Sequence, residues 1–183
     1  MISSKIALLL MLVNGSSYIL VNASKYNPYI CSTDYSAVFV VRSRKTGELF
    51  TTYYHSANKL EIKSEDYKRV TKDRYFWQIL CKGNDSYIIF LRSKKLYSWE
   101  RDGGCDKNNA PILALNTKVF HELYFNDRRF TYNNKTKMIT VCDNKCLYVE
   151  PVDGVVRSMS DCSQKEDRFF DIIRIVTNDY TEE

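Results

Sequence analysis

Three short runs of β-branched and aromatic residues recur in one order three times along this chain, and nothing else constrains its fold as tightly. The first run is Phe39-Val40-Val41, Ile89-Phe90-Leu91 and Ile139-Thr140-Val141, whose starts lie 50 residues apart both times (89 − 39 and 139 − 89). The second is a Leu followed by a ring: Leu49-Phe50, Leu96-Tyr97 and Leu147-Tyr148. The third reads Phe, ring, acid or amide, then Ile or Leu. It appears as Phe76-Trp77-Gln78-Ile79, Phe120-His121-Glu122-Leu123 and Phe169-Phe170-Asp171-Ile172. A period of about 40–50 residues is the mark of a repeat architecture. Each run is short and bounded by turn residues such as Thr46-Gly47, Asp102-Gly103-Gly104 and Asp153-Gly154, so each predicts a strand. Helical periodicity is poor, the best exception being the charged stretch from Ser64 to Tyr75. The expected class is all-β, as a sandwich or closed barrel, and closure would remove exposed sheet edges.

The first 23 residues read as a secretory signal peptide. Lys5 supplies the charge, Ile6 to Val13 the apolar stretch, and Val21-Asn22-Ala23 the small residues before a cleavage site. Eight apolar residues interrupted by Asn14-Gly15-Ser16-Ser17 are too few for a membrane span, which needs roughly 20. Residues 24–183 then suit one domain. Loss of Lys5 lowers the formal net charge from +5 to +4, mildly basic and suited to an acidic partner surface, with no sign of nucleic-acid binding.

Six cysteines follow the signal: Cys31, Cys81, Cys105, Cys142, Cys146 and Cys162. An even number behind a signal peptide reads as disulfides, and six cysteines allow 15 pairings. The rival for Cys142 and Cys146 is a metal site. It is disfavoured because His55 and His121 are the chain's two histidines, and structural zinc wants further paired ligands. Sequons at Asn84 and Asn134 fall in expected turns, where a glycan would project outward.

The third copy resembles the ricin-B, or R-type lectin, repeat. Lys145-Cys146-Leu147-Tyr148-Val149, then Cys162, then Arg168-Phe169-Phe170-Asp171-Ile172 match its Lys-Cys-Leu-Asp-Val, downstream Cys and closing Gln-x-Trp-x-Ile. The likeness spans roughly residues 35–176. It implies a twelve-strand β-trefoil of three pseudo-symmetric repeats, at about 35–83, 84–130 and 131–176. It also implies a Cys146–Cys162 bridge. In a trefoil the first and last strands of copy one should be neighbours, which suggests Cys31–Cys81 and leaves Cys105–Cys142 by subtraction.

The resemblance implies sugar binding, in which a ring stacks on a hexose while an Asp and an amide grip its hydroxyls. The Asp directly follows Cys-Leu in that family, and here Phe50, Tyr97 and Tyr148 stand at the aligned positions. The Gln of Gln-x-Trp is replaced by Tyr75, Val119 and Arg168. Replacement chemistry is sought in Asn144, Tyr148, Glu150 and Asp153 of copy three, and in Tyr97, Trp99, Glu100 and Asp102 of copy two. Packing of the rings and solvation of the acids is the competing expectation.

A second candidate is basic. Arg42, Arg44 and Lys45 recur as Arg92, Lys94 and Lys95, and Lys145 follows in copy three. Such cations suit a sulfated glycan or acidic protein surface, or simply a solvated face. Catalysis is not expected. The nucleophile-elbow, zinc-protease, phosphate-loop and dinucleotide motifs are absent, and no cofactor or metal is called for. The sequence therefore predicts a secreted, non-catalytic binding module for a glycan or glycoprotein. A non-lectin trefoil acting through its basic turns is the alternative, and a secreted hydrolase a remote one.

Overall fold

The computed structural model describes residues 10–13, 16–22, 38–71, 74–82, 85–92, 95–117, 126–142 and 144–177. It is all-β, as the strand-like runs predict. Fourteen strands form one antiparallel hydrogen-bonded system among the described residues. They are β1 (Leu10–Val13), β2 (Ser16–Asn22), β3 (Val38–Ser43), β4 (Leu49–Ser56), β5 (Lys59–Glu65), β6 (Gln78–Lys82) and β7 (Asp85–Arg92). Then follow β8 (Lys95–Arg101), β9 (Ala110–Thr117), β10 (Phe130–Asn133), β11 (Met138–Val141), β12 (Lys145–Val149), β13 (Val156–Met159) and β14 (Phe170–Thr177). Among the described residues, the stretch from Ser64 to Tyr75 holds a 3-10 turn at Tyr67–Arg69, and the Arg74 N–H donates to the Thr71 carbonyl at 3.0 Å. Strands β1 and β2 fall inside the segment read as a signal peptide, and β2 lies along residues 173–177 of β14.

The later strands fall into two sets that are joined to each other by β3–β4, β7–β8 and β11–β12 pairing. In one set, Trp77 and Phe39 exchange two backbone hydrogen bonds of 2.7 and 2.8 Å, joining the start of β6 to β3. Strand β6 pairs with β7, β7 with β10, and β10 with β11. The Phe170 N–H donates to the Lys137 carbonyl beside β11 at 2.8 Å, and β14 pairs with β3, where the series began. The other set is three hairpins: β4–β5, β8–β9 and β12–β13. Strand β9 pairs with both β5 and β13, and a bridge joins Lys63 to Val155.

One core receives side chains from both sets. Trp77, just before β6, and Phe130 and Phe170, which open β10 and β14, are buried to 1% exposure or less. Phe50 and Trp99 enter from the hairpins. Edge-on contacts join Trp99 to Trp77 at 4.9 Å and to Phe130 at 5.6 Å, and Phe50 to Phe170 at 5.0 Å. Each such pair contributes about 0.5–1.5 kcal/mol beyond its area burial. The Trp77 Nε1–H donates to the Phe50 carbonyl at 3.2 Å, so its burial leaves no orphaned donor. A smaller cluster lies apart from this core, where Val40, Ile173 and Ile175 pack with Leu49 and Tyr75.

Two details differ from the sequence register. In the first run, Phe39, Ile88 and Ile139 join the main core, so copy two is offset by one residue from Ile89. Side chains alternate along a strand, and a one-residue offset exchanges the faces. In the third run, Phe120-His121-Glu122-Leu123 lies outside the described residues. The ring that enters the core beside Trp77 and Phe170 is Phe130. It follows Asp127-Arg128 as Phe170 follows Asp167-Arg168 and Trp77 follows Asp73-Arg74.

Candidate functional site

The β12–β13 hairpin gathers most of the copy-three residues singled out from sequence. Leu147 faces the core, so Tyr148 faces the other way, directly across from Arg157. The Tyr148 hydroxyl donates to Glu150 Oε2 at 3.4 Å. Arg157 Nη2 donates to Asp153 Oδ2 at 3.0 Å. The turn that brings Asp153 round ends at Gly154, whose φ of +70° favours glycine. A Cβ there would also stand 3.2 Å from the Ser64 carbonyl oxygen. The Ser64 N–H donates to the Gly154 carbonyl at 2.8 Å, which fixes the turn against β5.

Electrostatics at this hairpin are mixed in sign. Burial lifts the Tyr148 phenol above its ordinary range, and the neighbouring Glu150 carboxylate adds to the rise. Burial pushes Asp153 upward too. Its hydrogen bond from the Val155 N–H and the Arg157 guanidinium outweigh that and hold the carboxyl below the usual range. Lys63, ion-paired to Glu61 at 3.1 Å, contributes in the same direction. The Arg157 Nε–H is buried and has no partner among the described residues. Tyr148 is only 6% exposed, so its ring offers almost no stacking face. The apolar surface at the turn comes instead from Val152, 92% exposed. The hairpin thus presents two carboxylates, a guanidinium and a small apolar tip. Asn144 lies at the opposite end of β12, roughly 13 Å from Tyr148 at ~3.3 Å per residue, and does not join them.

Copy two does not assemble a comparable surface. Trp99 is 0% exposed at the centre of the core, where no ligand reaches it. Tyr97 is buried and stacked on Phe90 at 5.1 Å. Asp102 pairs with Lys59 at 3.2 Å, and Glu100 pairs with Arg128. Phe50 and Tyr97 also face the core with Leu147 and not outward with Tyr148. The outward-facing counterparts of Tyr148 are Thr51 and Ser98, both buried hydroxyls. Thr51 Oγ1 donates to the Lys63 carbonyl at 3.4 Å, and Ser98 shares a 3.2 Å hydrogen bond with Thr117. The aligned rings therefore stand on different faces in different copies.

The basic turns are partly neutralised. Arg42 and Arg44 converge on Asp171 at 2.9 and 3.7 Å. Lys45 and Lys95 are exposed, and Lys145 donates to Ser160 Oγ at 3.0 Å. The backbone of Arg92 belongs to β7, its side chain lies outside the described part, and Lys94 lies outside the described residues.

Two of the expected disulfides are present. Cys146–Cys162 spans 16 residues and Cys105–Cys142 spans 37. The Cys31–Cys81 pairing rests on Cys31, which lies outside the described residues, as do His121 and the Asn84 sequon. Asn134 sits in the turn between β10 and β11. Among the described residues no three His, Cys, Asp or Glu side chains converge as metal ligands, and no helix is long and apolar enough to cross a membrane.

Sequence reasoning missed the recurring Asp-Arg pair. Arg74 Nε donates to the Thr52 carbonyl at 2.8 Å. Arg128 reaches Glu100 and Thr117 Oγ1. Arg168, 2% exposed, donates to the carbonyls of Asp161 and Ser163 and to both their side chains. Each arginine thus ties a closing strand to the hairpin or loop of its own copy. The signal was legible as Asp73-Arg74, Asp127-Arg128 and Asp167-Arg168, each followed within three residues by a core ring.

No family model matches the chain, and no curated protein matches it. Solved structures share its fold. An exo-β-1,3-galactanase from Clostridium thermocellum aligns at TM-score 0.58 and 10% identity over 75% of this chain, which spans 30% of that enzyme. A Culex quinquefasciatus salivary protein of the cysteine- and tryptophan-rich family aligns at 0.55 and 13% identity, over 74% of this chain and 91% of that one. The mdaA-1 domain aligns at 0.58 and 10% identity, over 82% and 94%. At these identities the likeness is one of fold: the chain is similar in its all-β architecture to all three.

Proposed function

We propose that this chain is a secreted β-trefoil of ricin-B-lectin type that binds carbohydrate at the β12–β13 hairpin and has no catalytic role. Three features support the trefoil: the strand pairings that lead from β3 back to β3, the three mutually paired hairpins, and the three core rings at or just before the starts of β6, β10 and β14. Secretion is supported by the apolar leader at residues 6–13 and by the two disulfides. On this reading residues 1–23 are removed, and Asn134 carries a glycan.

The observation that carries the binding proposal is that the turn closing the β12–β13 hairpin carries Glu150, Asp153 and the exposed Val152, with Arg157 bound to Asp153. A pyranose presents hydroxyls that both donate and accept, beside C–H faces that prefer apolar contact. Two carboxylates accept, the guanidinium donates, and Val152 meets the C–H face. Directional hydrogen bonds to such groups discriminate between sugars because an unmatched partner is left unsatisfied. The likeness to part of a galactan-degrading enzyme is consistent with this setting. Glycan-array binding by the secreted protein tests the proposal. Binding that disappears in Arg157→Gln and Asp153→Asn supports it, and silence of the folded wild type across the array removes it.

A further inference from the structure

We propose that the Arg101 guanidinium holds a small monovalent anion of the halide class beneath the 102–109 loop. Arg101 ends β8 with its side chain turned inward and is 0% exposed. Its Nε donates to Ser158 Oγ at 2.7 Å, and its Nη1 donates to the Gly104 carbonyl. Its Nη2 is buried with no partner among the described residues. No carboxylate among them lies within ion-pairing distance of it; Asp106, in the loop above, acts on it only at longer range and is exposed.

The chemistry of the ligand follows from these groups. The orphaned Nη2 is a donor with no acceptor capacity, so the occupant must accept. A buried charge without a counter-charge is strongly unfavourable, so the occupant must also be negative. A neutral water would fill the acceptor role and leave the charge uncompensated. Full burial under a loop tied down by Cys105–Cys142 selects a compact ion. Gly103 and Gly104, at φ +84° and +72°, fold that loop back so that the Gly104 carbonyl meets Nη1.

Two experiments test this. In bromide-containing crystals of the intact protein, an anomalous peak within hydrogen-bonding distance of Arg101 Nη2 is the expected result. A water or an Asp106 carboxylate at that place, with no halide, overturns the proposal. In solution, chloride is exchanged for gluconate at fixed ionic strength while the unfolding midpoint is followed. Chloride at about five times its dissociation constant should raise the midpoint by about 2–4 °C. Arg101→Met should abolish the response and Asp106→Asn should retain it. Equal midpoints in the two salts for the wild type, or loss of the response in Asp106→Asn, would contradict the site. Should Arg101→Met fail to fold, the bromide crystals decide alone.

Discussion

Arg157 stands directly across the β12–β13 ladder from Tyr148, and each side chain engages an acid of the same hairpin, Asp153 and Glu150 respectively. The pair ties the composition of one turn to the chemistry of one surface. Removing the Arg157 guanidinium should alter binding without unfolding the protein, because its contact with Asp153 is solvent-exposed. Arg157→Gln is expected to weaken glycan binding at least tenfold. The folded state should change by no more than about 1 kcal/mol, the range for exposed ion pairs. Urea unfolding and titration of the same samples check both halves.

Trp99 behaves differently. It is one of the copy-two candidates for sugar contact, and the structure places it among Phe50, Trp77 and Phe130. Trp99→Ala should therefore destabilise by about 3–5 kcal/mol, as large-to-small changes in packed cores do. Any loss of binding should track the loss of fold in circular dichroism.

The Asp161 carboxyl is held down to about 2 by hydrogen bonds from the Ser163 N–H, from Arg168 and from the Ser163 hydroxyl. Its folded value lies below the unfolded one near 3.8. Such a group adds stability above the unfolded value and loses it as pH falls through the folded value. Wild-type stability should therefore fall between about pH 4 and pH 2 by more than that of Asp161→Asn. Denaturant midpoints across that range read the difference.

The two disulfides close loops of different length. By chain entropy alone, reducing Cys146–Cys162 should cost about 3 kcal/mol and Cys105–Cys142 about 4 kcal/mol. Paired Cys→Ser variants compared by thermal unfolding give the order, with Cys105–Cys142 expected to matter more.

Much of the fold was legible in sequence because apolar runs, turn residues and cysteines report local chemistry. Phe39, Phe50, Trp77 and Phe170 were placed in strands and all reach the core. The likeness to the ricin-B repeat pointed to Cys146–Cys162 and left Cys105–Cys142 by subtraction, and both bridges are present. What was not legible is facing. A strand reverses its side-chain direction at each residue, so aligning Leu147-Tyr148 with Leu49-Phe50 set an outward ring against an inward one. The same sensitivity shifted Ile89 against Ile88. Copy-two acids were also overread, since a sequence does not reveal that Arg128 and Lys59 already hold Glu100 and Asp102. The Asp-Arg pairs escaped notice because charge suggests a surface, whereas Arg168 is buried by the loop it braces.

The central claim is that a glycan docks on the β12–β13 hairpin and not on the basic turns. Amide chemical-shift mapping during titration with a glycan from the array tests it residue by residue. Shifts concentrated at Tyr148, Glu150, Asp153, Gly154 and Arg157, persisting in 0.15 M salt, are the expected result. Shifts centred on Arg42, Arg44, Lys45 and Lys95 that vanish in the same salt would contradict it.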